Sequence, residues 1–218
     1  MRGSSRIGML LLALAFAPAV ARGQQTRNFR VGLYFDADAQ SCVTSLANFD
    51  SVRVWAFAFV DPGTQLNGVI LRLQLQPGFQ ALTRTVRPPK AARFSDLSGD
   101  LTGAKGLDMT WQQCVVADGL TPIQLFSFRL DYFDISRPSE YQQPNVVLEF
   151  AGGTGATDST ASIMPRVKLC PDDPVGGHGE LIEGGSLRAT LNCTADCPCA
   201  LGVQGRTWTE VKQLYREP

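Results

Sequence analysis

This sequence is poor in the residues that carry chemistry. Its 218 residues hold one histidine, His178, flanked by glycines in "GGHGE". It contains no H-E-x-x-H, no phosphate-binding glycine loop, and no G-x-G-x-x-G opening a helix. The G-x-S-x-G nucleophile turn is missing too, so a Ser-His-Asp triad would have to recruit a loop histidine. Charge is balanced, with 20 Lys+Arg against 20 Asp+Glu. That leaves no concentrated basic face for nucleic acid. Beyond the first residues no apolar run approaches the roughly 20 residues a membrane helix needs.

The first residues do carry one signal. In "MRGSSRIGMLLLALAFAPAVARG", Arg2 and Arg6 precede an apolar run from Ile7 to Phe16. Ala19-Val20-Ala21 then fits a small-x-small cleavage pattern. Residues 1–21 therefore read as a secretory signal peptide, cleaved near Ala21. The expected product is secreted, periplasmic or on the cell surface, and does not span the membrane.

Export bears on the six cysteines, Cys42, Cys114, Cys170, Cys193, Cys197 and Cys199. An even count in an oxidising compartment reads as disulfides, and all six are candidates. Sequence alone cannot choose the pairing. The expectation here is that Cys170 ties the sandwich to a tail cysteine. The competing reading is zinc on Cys193, Cys197, Cys199 and His178, but C-x3-C-x-C lacks the usual C-x2-C pairs. A Cys197–Cys199 bridge in "CPC" would be a strained, reducible ring.

Period-two patterns dominate the span from residue 29 to residue 170. "FRVGLYFD" sets Phe29, Val31, Leu33 and Phe35 on one face. "VRVWAFAFVDPG" is apolar on both faces and reads as a central, covered strand, with Trp55 in the core. "GVILRLQLQPG" alternates Val69, Leu71, Leu73 and Leu75 with Arg72, Gln74 and Gln76; "FQALTRTVRPP" comes next as a further strand. "KGLDMTWQQCVVADG" alternates through Leu107, Met109, Trp111, Gln113 and Val115. "PIQLFSFRLDYFD" aligns Phe126, Phe128, Leu130 and Tyr132. "NVVLEFAGG" and "SIMPRVKLC" complete eight strands between 29 and 170, with Pro165 marking an edge or bulge. Short strands between turn signals predict an all-β sandwich over 28–170.

Residues 171–218 read as a cysteine-bearing extension. "PDDPVGGHGELIEGG" is predicted as an irregular loop. "SLRATLNC" is one further strand with Leu187, Ala189 and Leu191 inward. "TWTEVKQLYREP" predicts a helix over 207–216: Thr207 and Glu210 form a capping box, and Trp208, Val211, Leu214 and Tyr215 share one face. Three turns alone are marginal in water. That stripe is accordingly the partner-binding candidate, docked on the chain's own sandwich or on another protein.

"VGLYFD" near the start and "GGSLRATLNCTADCPC" with "TWTEVKQLYR" near the end resemble a group of uncharacterised exported bacterial proteins. That likeness implies localisation and architecture and no reaction. More distantly, "LNGVILRLQLQPGFQ" is similar to a cohesin strand entering its loop. The fold this implies is a cohesin-like or jelly-roll β-sandwich of about eight to nine strands with a short C-terminal helix.

Function is read on that frame as non-catalytic. A protein-interaction or structural module of the envelope or exterior comes first, and a carbohydrate-binding module second. A glycan hydrolase needing only two carboxylates is third, with Asp131, Asp134 and Glu149 as its candidates. The expected partner is a protein or a polysaccharide. No cofactor is expected beyond a structural calcium. Asp36 and Asp38 of "DADAQ" and Asp96 and Asp100 of "DLSGD" are its candidate ligands, although neither stretch matches the EF-hand pattern. Solvated turn aspartates are the plain alternative.

Overall fold

The computed structural model describes residues 29–89, 93–154, 163–173, 181–195 and 197. The predicted signal peptide, His178, Cys199 and the 207–216 helix lie outside them. Thirteen strands and one short 3-10 turn are described. In chain order they are β1 (Phe29–Tyr34), β2 (Val43–Thr44), β3 (Ser51–Val60), β4 (Gln65–Gln74) and β5 (Phe79–Ala81). The 3-10 turn is Thr83–Thr85, with β6 (Phe94–Gly99), β7 (Leu107–Val116), β8 (Ile123–Tyr132) and β9 (Val146–Ala151) after it. The last are β10 (Arg166–Leu169), β11 (Leu181–Glu183), β12 (Gly185–Leu187) and β13 (Ala189–Leu191). Among the described residues no helix is long and apolar enough to cross a membrane.

These strands form an all-β sandwich of two sheets. One runs β12-β1-β3-β8-β5; the other runs β11-β10-β4-β9-β13-β2, with β7 added to β4 and β6 to β7. Alternation decides what lies between them. Val31 and Leu33 of β1, Val54, Ala56 and Ala58 of β3, and Phe126, Phe128 and Leu130 of β8 point inward. They meet Val69, Leu71 and Leu73 of β4, Leu107, Met109 and Trp111 of β7, and Leu148 and Phe150 of β9. The outward face of the larger sheet is polar in its middle, where the Lys168 ammonium contacts Asp108 and donates to Thr110 (2.8 Å).

Several expectations need correction. The strand count rises from eight or nine to thirteen, because segments of two or three residues are too short to show a period. β6 has no counterpart among the expected strands: its "FSDLSG" is mostly polar and exposed, and only pairing with β7 makes it a strand. "FQALTRTVRPP" yields three strand residues and then the 3-10 turn, leaving Arg87 as a lone bridge to Ser127. Pro165 stands just before β10, which is not an edge, since β4 and β11 flank it, but which does carry a register shift against β4 between Lys168 and Leu169. The loop expected over 171–185 contains β11. Beyond Trp111 the alternation of β7 breaks: Leu66 pairs with Val115 but Gly68 with Thr110, so a bulge turns Gln113 to solvent.

The segment "SLRATLNC" makes two strands rather than one. β12 lies parallel to β1 in the smaller sheet, while β13 pairs with β9 and β2 in the larger. Arg188 is the residue between them. Ala189 and Leu191 do turn inward, but Leu187 sits opposite Gly32 on the other face of the small sheet. Both sheets thus take in residues beyond Cys170.

Candidate functional site

At one end of the sandwich the chain entering β3 meets the chain leaving β8. Ser51 pairs with Asp131 at the last rung. Beyond that rung the two connections are fastened by Asn48, which is almost fully buried. Its amide nitrogen donates to the carbonyls of Asp134 (2.7 Å), Arg137 (2.9 Å) and Pro138 (3.2 Å). Its side-chain oxygen accepts from the Asp134 backbone N–H at 2.7 Å. Further bonds run from Asn48 N–H to the Tyr141 carbonyl and from Phe49 N–H to the Tyr132 carbonyl, both 2.8 Å. Both polar atoms of the buried Asn48 side chain are thereby held, as burial demands.

Two aromatic rings stand on this fixed backbone. Phe49 and Phe133 are each 50% exposed, and Ile135 beside them is 83% exposed. The rings meet edge to face, 5.0 Å between centroids and 81° between planes. Phe49 holds φ at +68°, a left-handed conformation that costs a bulky residue about 1–2 kcal/mol. Below lies Tyr132, stacked on Phe79 at 4.4 Å, its buried hydroxyl without a partner among the described residues and its pKa raised first by desolvation and then by Asp134. Charges rim the patch. Arg137 lies 4.8 Å over the Tyr141 ring. The Asp134 carboxylate accepts from the Ser136 hydroxyl (2.6 Å) and N–H (2.9 Å), which lowers its pKa.

Sequence reasoning misses this patch because strands, cysteines and carboxylates draw attention elsewhere. The available signal is a large apolar residue in turn-rich sequence: Phe49 in "NFDS", and Phe133 and Ile135 in "FDISRP".

The predicted site residues that are described fall in separate places, and His178, Cys199, Trp208, Val211, Leu214 and Tyr215 lie outside the described residues. Cys114 is bonded to Cys170, which corrects the expected link from Cys170 to the tail. Val115 and Leu169 both pair with Leu66, so the neighbouring cysteines face each other across β4. Cys193 is bonded to Cys197, and Cys42 is also in a disulfide. The sulfurs proposed for zinc are thus oxidised at two of three positions. No cysteine is free among the described residues.

The aspartates offered for calcium are not gathered. Asp36 holds its own turn, accepting from the N–H groups of Asp38 (2.9 Å), Gln40 (3.0 Å) and Ser41. Asp96 is inside β6 and not in a loop. Asp100 accepts from the Thr83 hydroxyl (2.7 Å) and Thr102 N–H (3.1 Å), and these hydrogen bonds lower its pKa. Among the described residues no three acidic, cysteine or histidine side chains cluster as a metal site would require.

The three carboxylates considered for glycan hydrolysis are occupied separately. Asp131 pairs with Arg129 (2.7 and 3.0 Å), Glu149 with Arg188 (2.8 Å), and Asp134 with Ser136. A general acid needs a raised pKa, and Asp134 is shifted the other way. Of the remaining aromatics, Trp111 is buried inward, while Trp55 is only part-buried and faces outward from the small sheet.

No protein-family model matches this chain, and no curated protein does. Solved structures similar to it are cohesin modules. The seventh ScaB type I cohesin from Pseudobacteroides cellulosolvens is 9% identical, with a TM-score of 0.43 over 78% of this chain and 95% of that one. A type I cohesin–dockerin complex from Clostridium thermocellum gives 12% identity and 0.39, over 76% and 94%. A non-cellulosomal cohesin from Archaeoglobus fulgidus gives 9% and 0.37, over 88% and 99%.

Proposed function

We propose that this chain is a non-catalytic, disulfide-stapled binding module that acts outside the cytoplasm and engages another protein through the Phe49–Phe133 end of its sandwich. The observation that carries the reading is the pair of half-exposed phenylalanines on a backbone locked by Asn48. Apolar side chains fixed in advance lose little entropy on binding, and a charged rim around an apolar centre is the usual anatomy of a protein interface. The edge-to-face rings do not form the flat platform that stacking on sugars requires, so a protein fits better than a polysaccharide. The disulfides fit an oxidising compartment, in keeping with a leader removed near Ala21.

The test is capture by the immobilised protein from its native extracellular medium, with Phe133→Ser beside the unaltered chain. A protein held by the unaltered chain, lost with Phe133→Ser and retained by a control at exposed Val147 supports the reading. Equal capture by both, or recovery of polysaccharide instead, defeats it.

A further inference from the structure

Cross-strand partners share a face, so the register fixes what the small sheet shows outward. On β1 and β3 these residues are Gly32 opposite Phe57, Tyr34 opposite Trp55, and Arg30 opposite Phe59. Leu187 of β12 continues the row beside Gly32. On β8 they are Gln124 opposite Phe57, then Ser127, Arg129 and Asp131. Half of this outward face is therefore polar, as a solvated sheet should be. The other half is aromatic, and its middle is covered: Tyr34 is 1% exposed and Phe57 3%, with Trp55 and Phe59 part-buried beside them.

The rings support one another, with Tyr34 to Phe57 at 5.6 Å and Tyr34 to Phe59 at 6.0 Å. Gly32 lets them lie over the strand, since a Cβ there would meet Tyr34 Cε2 at 2.8 Å. Mutual contact alone does not remove water from rings on the outside of a sheet. A further apolar layer is required.

We propose that this layer is the chain's own segment 207–216, lying across the outward aromatic face as an amphipathic helix with Trp208, Val211, Leu214 and Tyr215 against Tyr34, Trp55 and Phe57. Among the stretches outside the described residues, 90–92, 155–162 and 174–180 contain no aromatic residue, leucine or isoleucine. Residues 22–28, "RGQQTRN", are polar and lead into Phe29 at the far end of the sheet, beside Val60. The leader residues are expected to be removed.

Geometry brings the tail to the right place. After Tyr34 the chain turns, with Phe35 N–H donating to the Ser41 carbonyl, and returns through β2. β13 leaves the larger sheet beside β2, Leu191 pairing with Thr44. The tail thus departs near the Tyr34–Trp55 end of the aromatic face. The stretch from Cys197 to Thr207 can span about 33–36 Å. A ten-residue helix is about 15 Å long, and Trp55 to Phe59 covers about 13 Å of strand.

The experiment is hydroxyl-radical footprinting of protein purified from its native compartment, unaltered and as Trp208→Ser/Leu214→Ser. Oxidation of Tyr34, Trp55 and Phe57 should rise several-fold in the variant, with interior Phe126 and Phe128 unchanged as the control for folding. Unchanged protection in the variant overturns the proposal. So does protection in the unaltered chain that fades on dilution, which would assign the cover to a second copy. Capture through Phe133 is measured separately, so either proposal can fail without the other.

Discussion

Asn48 and Asp134 grip each other in both directions: the Asn48 amide donates to the Asp134 carbonyl and accepts from the Asp134 N–H, each at 2.7 Å. Asn48→Ala strips the partners from one N–H and three carbonyls in a part-buried junction. A loss of about 2–4 kcal/mol is expected, read by urea denaturation. Asn48→Asp should be no milder, because a carboxylate cannot donate to the three carbonyls.

The disulfide across β4 gives a second prediction. Cys114 and Cys170 are 56 residues apart with Cα atoms at 6.1 Å. Replacing both with alanine should lower stability by about 2–4 kcal/mol. Thermal denaturation with and without reductant measures it. The double variant should lose most of the reductant sensitivity, and an unaltered response would assign that sensitivity to the other bridges.

How much of the fold is legible in the sequence depends on what each strand buries. β1, β4 and β8 carry long alternations because each turns one face to the interior, and their inward residues stand out by period alone. β6 is not legible, since its strand character comes from pairing with β7 rather than from apolar content. β12 and β13 look like one strand because "SLRATL" alternates through Arg188, and only the register shows the change of sheet there. The Cys114–Cys170 bond is hidden for a related reason: it depends on Leu66 pairing with two distant segments. The Phe49 patch involves no period at all. It arises where two loops, far apart in sequence, are tied by a single asparagine.

Phe49→Asn separates folding from binding. Asparagine tolerates positive φ, so relief of about 1 kcal/mol of backbone strain offsets the lost ring pair, itself worth about 0.5–1.5 kcal/mol. The melting temperature should stay within a few degrees while partner affinity falls at least tenfold. Calorimetry on both proteins, with binding measured alongside, tests the pair of outcomes. A large drop in melting temperature would count against a strained display residue.

Acid and base should both destabilise the fold. Asp100, Asp118 and Asp134 have folded pKa values below their ordinary ones, chiefly from hydrogen bonds donated by Thr83, Thr121 and Ser136 respectively. Their contribution is complete above the unfolded value of about 3.9 and is lost as pH falls through the lower folded values. Tyr132 is shifted upward by burial. Its contribution is complete below about 10 and is lost as pH rises toward the folded value. Melting temperature against pH should therefore form a plateau with two falling limbs. Asp100→Asn should flatten the acid limb, and Tyr132→Phe the alkaline one.

The parallel pairing of β1 with β12 also sets a schedule for assembly. The first strand of the sandwich cannot fill its outer edge until residues 185–187 exist to lie against it. During synthesis, at about 5–20 residues per second, β1 and β3 would wait several seconds with an open row of peptide groups, the kind of edge that recruits stray chains. Closure of this edge thus waits on residues 185–187, and a nascent chain must be kept from its neighbours until they have been made.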